Sequence, residues 1–211
     1  MSATDKDPID FTMMYVTHDA LRRDVRRLAS AASTRRADTP AVRKGWENFK
    51  AQLHLHHTVE DDDLWPRLYQ AIGDRPDRRK LLEDMEAEHA VLDPLLTATD
   101  DAFTTMSGDA LNDRLVELTA ALDTHFEHEE QSALPLIQEV LTEKDWKSFG
   151  KSMAKAQGLS GAAVYVPWIV DGATAEKRRQ FFSVLPAPVK VLNRLVWEPR
   201  YRRSGPWAAG A

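Results

Sequence analysis

His56, Glu60 and Pro66 form a phrase that returns with the same spacing as His125, Glu129 and Pro135. In an α-helix, residues four apart share a face, with Cβ atoms about 5–6 Å apart. Each phrase therefore sets an imidazole beside a carboxylate. Each is half of a metal site, and the chain must fold so that two helices bring their halves together.

The first 140 residues support that reading, because apolar residues recur at three- and four-residue steps and Pro or Gly falls mostly between the periodic segments. Four long helices are predicted. The first runs from Ile9 to Ala32, with Phe11, Met14, Leu21, Val25 and Leu28 on the face that holds His18. The second opens with Thr39 as N-cap and Pro40 at the first helical position, and carries Trp46, Phe49, Leu53, His56, Glu60 and Leu64 along one face. The third follows the Gly73 turn, with Pro76 near its start, and shows Leu82, Met85, His89, Leu92 and Leu96. The fourth begins after Gly108, with Asp109 as its cap, and shows Leu111, Leu115, Leu118, Leu122, His125, Glu129 and Leu136.

Each predicted helix has a histidine near its middle, where a Leu or Met would otherwise face the core. Short connections make neighbouring helices antiparallel, so His18, His56, His89 and His125 are expected in one layer of an up-down four-helix bundle. His18 precedes His56 by 38 residues and His89 precedes His125 by 36, which reads as two copies of a helix pair. A site on the resulting pseudo-two-fold axis holds two ions, bridged by Glu60 and Glu129.

Imidazole and carboxylate together suit iron, with manganese or zinc as alternatives. A lone core histidine is more often a hydrogen-bonded structural residue than a ligand. Four of them with two glutamates in one layer would leave a metal-free core with too many unsatisfied polar groups. Cysteine is absent, which excludes thiolate sites and disulfides. The net charge of -5 argues against a dedicated nucleic-acid partner.

The remaining histidines read differently. His57 lies about 100° round the helix from His56 and His54 about 200°, which places both at the surface or behind the ligands. His128 is placed behind them too. Asp61 and Glu130 follow the ligand histidines by five residues and are read as part of solvated acidic runs. Tyr15, three residues before His18, is a candidate proton donor or a packing aromatic. An ExxH motif occurs once, as Glu86 and His89, where a ferritin-like di-metal site requires two.

The pattern of a lone His, HxxxE, a lone His and HxxxE, with a proline six residues past each glutamate, resembles the hemerythrin-like (HHE cation-binding) family of four-helix di-iron proteins. The resemblance covers residues 10 to 140. It implies two non-haem irons joined by an oxo or hydroxo bridge, with His18, His56, Glu60, His89, His125 and Glu129 as ligands. It also implies binding of, or reaction with, dioxygen, peroxide or nitric oxide. Oxygen-carrying members use five histidines, two of them four apart on the third helix, and an HxxxxD pair on the fourth. Here Met85 stands at the extra histidine's position and Asp93 is on the other side, while Glu130 satisfies the five-residue spacing, so the fourth-helix carboxylate is Glu129 or Glu130. A four-histidine centre favours turnover of peroxide or oxygen, catalase-like or oxidase-like, over carriage. Sensing of oxygen, nitric oxide or iron, or iron storage without turnover, is the alternative.

Residues 8–141 are thus read as the bundle and 142–211 as an extension: a short helix from Thr142 to Gln157, stopped by Gly158, then an irregular Pro- and Arg-rich segment wrapping the bundle. Eight Lys and Arg against Glu176 and Glu198 between residues 176 and 203 raise contact with an anionic membrane surface or an acidic partner. The prolines favour a simple cover instead. The N-terminal MSATDKDPIDF lacks the basic-then-apolar pattern of a secretory leader, and no apolar run is long enough to span a bilayer; a cytoplasmic protein is expected.

Overall fold

Among the described residues, three helical rods widen into a π-helical turn, and each time a proline follows two residues after the turn ends. The computed structural model describes residues 8–105 and 108–207, which leaves the first seven residues of the N-terminal segment read above outside the description. Helix α1 (Thr12–Ser33) is followed by α2 (Pro40–Val59), which passes through a π-turn (Glu60–Leu64) into α3 (Trp65–Ile72). Next come α4 (Pro76–Thr105) and α5 (Gly108–His128), which passes through a second π-turn (Glu129–Ala133) into α6 (Leu134–Val140). The prolines are Pro66 and Pro135 of the repeated phrase. A proline inside a helix removes one N–H donor and its ring presses on the carbonyl four residues earlier. Here that carbonyl belongs to Asp62 or Gln131, inside the π-turn. Widening the helix by one residue relieves the clash, and the amides of Trp65 and Leu134 reach back five residues, to the carbonyls of Glu60 and Glu129. Proline permits the turn without dictating it, since Pro94 sits inside α4 with no such widening.

The helices alternate in direction. Apolar residues form two clusters, one containing Leu21, Phe49, Leu53, Leu92, Leu122 and Phe126, the other containing Met14, Val59, Trp65, Met85, Ala133 and Ile137. Helix α1 runs from the second cluster (Met14) to the first (Leu21), and α2 from the first (Leu53) to the second (Val59). The third rod, α4, repeats the direction of α1, from Met85 to Leu92; the fourth repeats that of α2, from Leu122 to Ala133. The result is the expected all-α up-down bundle, with the histidine layer between two apolar cores. Leu21, Phe49, Leu53, Leu82 and Leu122 are essentially solvent-free, and each contributes about 1.5–3 kcal/mol by its burial. The Thr39 hydroxyl accepts from the Val42 amide, and Pro40 occupies the first turn. Asp109 falls inside the first turn of α5 rather than ahead of it.

The extension departs from expectation. Helix α7 (Glu143–Ile169) opens with a reciprocal capping box between Thr142 and Asp145, and Gly158 interrupts it as expected. With φ 60° and ψ 175° Gly158 makes a kink, and the chain then resumes as helix through AVYVPWIV to Ile169. Glycine tolerates that backbone where a side chain would be strained. Beyond it lie α8 (Ala175–Val184), α9 (Ala187–Leu192), a third π-turn (Asn193–Trp197) and α10 (Glu198–Ser204). Pro199 follows this π-turn by two residues, as Pro66 and Pro135 follow theirs. The segment is therefore helical rather than irregular.

It also packs back onto the bundle. The Asp24 carboxylate, buried in α1, accepts from Trp168 Nε1 at 2.7 Å, Arg23 Nε at 2.8 Å and Arg27 at 3.3 Å. Arg23 and Arg27 extend the clasp to the Asp171 carbonyl and carboxylate, each at 2.7 Å. Glu198 gathers Arg178, Arg202 and Asn193, while Trp207 donates its amide to the Ala41 carbonyl and lays its ring over Gly45.

Candidate metal centre

His18, His56 and Glu129 offer three donor atoms within 4.8 Å of one another, and His57, His89 and His125 offer a second such set. All six side chains are buried. In the first set, His18 Nε2 lies 3.1 Å from both His56 Nε2 and Glu129 Oε2. In the second, the His57 ring stacks on His89 at 4.0 Å and meets His125 edge-on at 5.0 Å. Glu60 spans the two, with its oxygens 3.3 Å from His56 Nε2 and 3.8 Å from His89 Nε2. All six residues singled out in the sequence are thus brought into one layer, and a seventh joins them.

The seventh is His57, which the sequence reading placed away from the ligand face. It is buried, and its Nε2 has no hydrogen-bond partner. The reading assumed a narrow stripe, whereas a core-facing helix buries a face 100° wide or more. Along α2 that face includes the adjacent pairs Gly45 and Trp46, Gln52 and Leu53, His56 and His57. A step of one residue stays inside it. The Trp46 and Leu53 stripe was legible, but the neighbouring Gly45 and Gln52 carry no apolar signal that would have widened it.

Shifting each residue of the α2 phrase by 69 positions gives its partner in the other half: His56 pairs with His125, Glu60 with Glu129, Asp61 with Glu130. His57 pairs with Phe126, which is buried and stacks on His18 at 4.4 Å. The pseudo-symmetric layer is therefore lopsided, with three imidazoles in one donor set against two in the other.

Three outward nitrogens of the layer are held by a ring of carboxylates, while His56 Nδ1 is buried without a partner. His18 Nδ1 lies 2.8 Å from Glu130 Oε1, His89 Nδ1 2.8 Å from Asp61 Oδ1, and His125 Nδ1 3.0 Å from Glu88 Oε2. A neutral imidazole that donates through Nδ1 presents the lone pair of Nε2 inward, the form a metal requires. Asp61 and Glu130 are thus functional neighbours of the layer rather than merely solvated charges. Each reaches across to the histidine of an adjacent helix. Of the two fourth-helix carboxylates, Glu129 faces the layer, while Glu130 stands behind His18 and also accepts from Arg22 at 2.7 Å. His128 contributes to the outer ring through Glu88 at 2.7 Å. His54 and Tyr15 are exposed, and Tyr15 does not reach the layer. Glu86 is exposed and accepts from Tyr69, which removes the ExxH motif from consideration.

Electrostatics follow the packing. Burial and the surrounding imidazoles hold His57 well below its ordinary value, and burial with the charge of His18 does the same for His56. Burial also lowers His125, against the pull of Glu88. These rings are neutral, as ligands must be. For His18, burial is outweighed by Glu129 and Glu130, which raise it. Burial, then the charge of Glu129, pushes Glu60 well above the carboxylate range, while Glu129, although desolvated, is drawn down to about 2 by His18. Two glutamates side by side cannot both stay ionised without cations between them.

The donor atoms themselves fit a metal. Both oxygens of Glu60, both of Glu129, and Nε2 of His57, His89 and His125 are buried without a hydrogen bond. An unsatisfied buried polar atom costs about 1–3 kcal/mol, so seven in one layer are tolerable only if something else satisfies them. Comparison with protein families agrees: residues 10–137 match the hemerythrin HHE cation-binding domain. The chain belongs to the hemerythrin family. No curated protein and no solved structure matches it. As a hemerythrin domain it is a metal-ion binder, and the match ends three residues before α6 does. Among the described residues, no helix of this hemerythrin-like chain is long and apolar enough to cross a membrane.

Proposed function

We propose that this hemerythrin-like protein holds two non-haem iron ions and uses them to bind or react with dioxygen or peroxide. The observation that carries the proposal is the layer of five imidazoles and two glutamates in which seven inward donor atoms are buried without a hydrogen bond. His18, His56 and Glu129 would hold one ion and His57, His89 and His125 the other, with Glu60 placed to serve both. Two ferrous ions bound by these residues would supply electrons in pairs to an oxygen-containing ligand.

The chain's own residues set the conditions for that chemistry. The apolar clusters above and below the layer, closed by Leu53, Leu64, Met85 and Leu122, exclude bulk water, which strengthens every charge interaction inside. Asp61, Glu88 and Glu130 fix the tautomer and aim of three imidazoles. Counting His57 raises the nitrogen content to five. The case against reversible oxygen binding that rested on four histidines thereby loses its premise, and carriage and turnover are separated by experiment.

That experiment is anaerobic iron loading of the full chain, with metal per chain measured, followed by absorption spectra on addition of oxygen, nitric oxide or peroxide. Two irons per chain and a charge-transfer band that responds to oxygen or peroxide are expected. Oxygen evolution from peroxide marks turnover, and a reversible spectrum marks carriage. A stoichiometry of one, or a spectrum indifferent to all three molecules, overturns the proposal. The extension clasps the bundle through Asp24, Trp168 and Arg27, which supports reading residues 143–207 as part of the bundle's own packing rather than as an output domain.

A further inference from the structure

The sequence set membrane docking aside because prolines appeared to break the basic tail. The structure removes that objection: Pro188 sits in the first turn of α9, where a missing N–H costs little, Pro199 is accommodated by the π-turn before it, and residues 187–204 run as one helical rod. One side of the rod packs inward, burying Asn193 and Trp197 and partly burying Tyr201. The opposite side is aliphatic and open to solvent. Val191, Leu192, Leu195 and Val196 are 55%, 40%, 68% and 40% exposed. Val184, at the end of α8, adds to this exposed aliphatic surface.

Charge identifies what covers it. Eight of the chain's 28 Lys and Arg but only two of its 33 Asp and Glu lie between residues 175 and 207, on a protein whose net charge is -5. Lys177, Arg178 and Arg202 are spoken for by Asp19 and Glu198. Arg179, Lys190, Arg194 and Arg200 form no ion pair among the described residues, and Arg194, exposed between Leu192 and Leu195 in the sequence, flanks the aliphatic strip. A second copy seated on this face would set one positive segment against another.

We propose that the outward face of α9 and α10 docks the protein peripherally on an anionic lipid surface. The aliphatic side chains enter the boundary between headgroups and acyl chains, while the arginines and the lysine stay at phosphate depth on their flexible stems. The acidic remainder of the molecule is repelled by the same surface, which fixes the orientation of the bundle above it. This docking does not depend on which metal the bundle holds.

Vesicle flotation of the metal-loaded full chain tests it, using phosphatidylcholine alone and phosphatidylcholine with about one third phosphatidylglycerol, at low and high salt. Binding to the anionic vesicles only, weakened by salt, is expected. Arg194→Glu and Leu195→Glu should each lower the bound fraction, with an affinity loss of about fivefold or more per change, at unchanged metal content and unchanged thermal midpoint. Both positions are exposed, so neither variant threatens folding. Absence of flotation with anionic vesicles at low salt overturns the proposal. So does binding that survives the double variant. A dimer by light scattering that Leu195→Glu dissociates, without any flotation, would assign the face to a second copy.

Discussion

Glu130 Oε1 lies 2.8 Å from His18 Nδ1, so a carboxylate from the second half of the chain fixes the imidazole of the first helix. Its neighbour Glu129 points into the layer instead, 3.1 Å from the same ring's Nε2. Two adjacent acids thus hold one histidine from opposite sides. Glu130→Gln should weaken metal retention about 10- to 100-fold without abolishing it, because the ring loses its charged acceptor but keeps its place. Glu129→Gln should cost a metal ion outright. Chelator competition followed by metal analysis distinguishes the two, and equal losses would refute the assignment.

His57 is expected to be the fifth nitrogen donor. His57→Phe copies the residue that occupies the equivalent place in the other half, Phe126, so packing is largely preserved while one donor of the His57, His89 and His125 set disappears. Bound metal should fall from two toward one per chain. His54→Phe, three positions away and exposed, serves as the control and should leave the stoichiometry unchanged.

Asp24 should be the strongest single attachment of the extension. Its buried carboxylate satisfies Trp168 Nε1, Arg23 and Arg27 together. Asp24→Ala strands Trp168 Nε1 and Arg23 Nε and leaves Arg27 to Asp171 alone, and breaking such a buried arrangement costs about 3–5 kcal/mol. Urea unfolding should show the loss, and limited proteolysis should cut first between α7 and α8. A change below about 1 kcal/mol would mean the clasp contributes little.

Glu198 links stability to pH. Burial alone would raise its carboxyl, but hydrogen bonds and charge from Arg178 and Arg202 hold it below the ordinary value of 4.5. A depressed folded value means stabilisation that is fully present above 4.5 and lost as pH falls through the folded value. Glu198→Gln should therefore melt lower than wild type at pH 7, by about 2–4 °C for each kcal/mol lost. The gap should close as pH falls below the folded value, and a gap independent of pH would exclude the ionic account.

Much of this protein was legible in the chain itself. The three- and four-residue spacing around His18, His56, His89 and His125 required four helices with a polar layer at mid-height, since only that arrangement buries the apolar faces and lets the histidines meet. The proline six residues past each glutamate marked the phrase, although the π-turn it accompanies was not read from it. Gly158 interrupts the helix as read, but the helical course of residues 159–169 beyond it was missed because Pro167 is an ordinary helix breaker. Packing of Trp168 onto Asp24 and of Val166 and Ile169 into the first apolar cluster outweighs that local preference.

Periodicity along one helix therefore determined which residues share a face, because that depends only on the residue's angle about its own axis. It did not determine how wide the face is or what stands opposite. The inclusion of His57 was decided by the approach of α4 and α5, whose His89 and His125 enclose its ring. The roles of Asp61, Glu88 and Glu130 were decided likewise by histidines on neighbouring helices. A side chain's work as a ligand or as a ligand's support is set by distance across the bundle, and that distance exists only once the helices have packed.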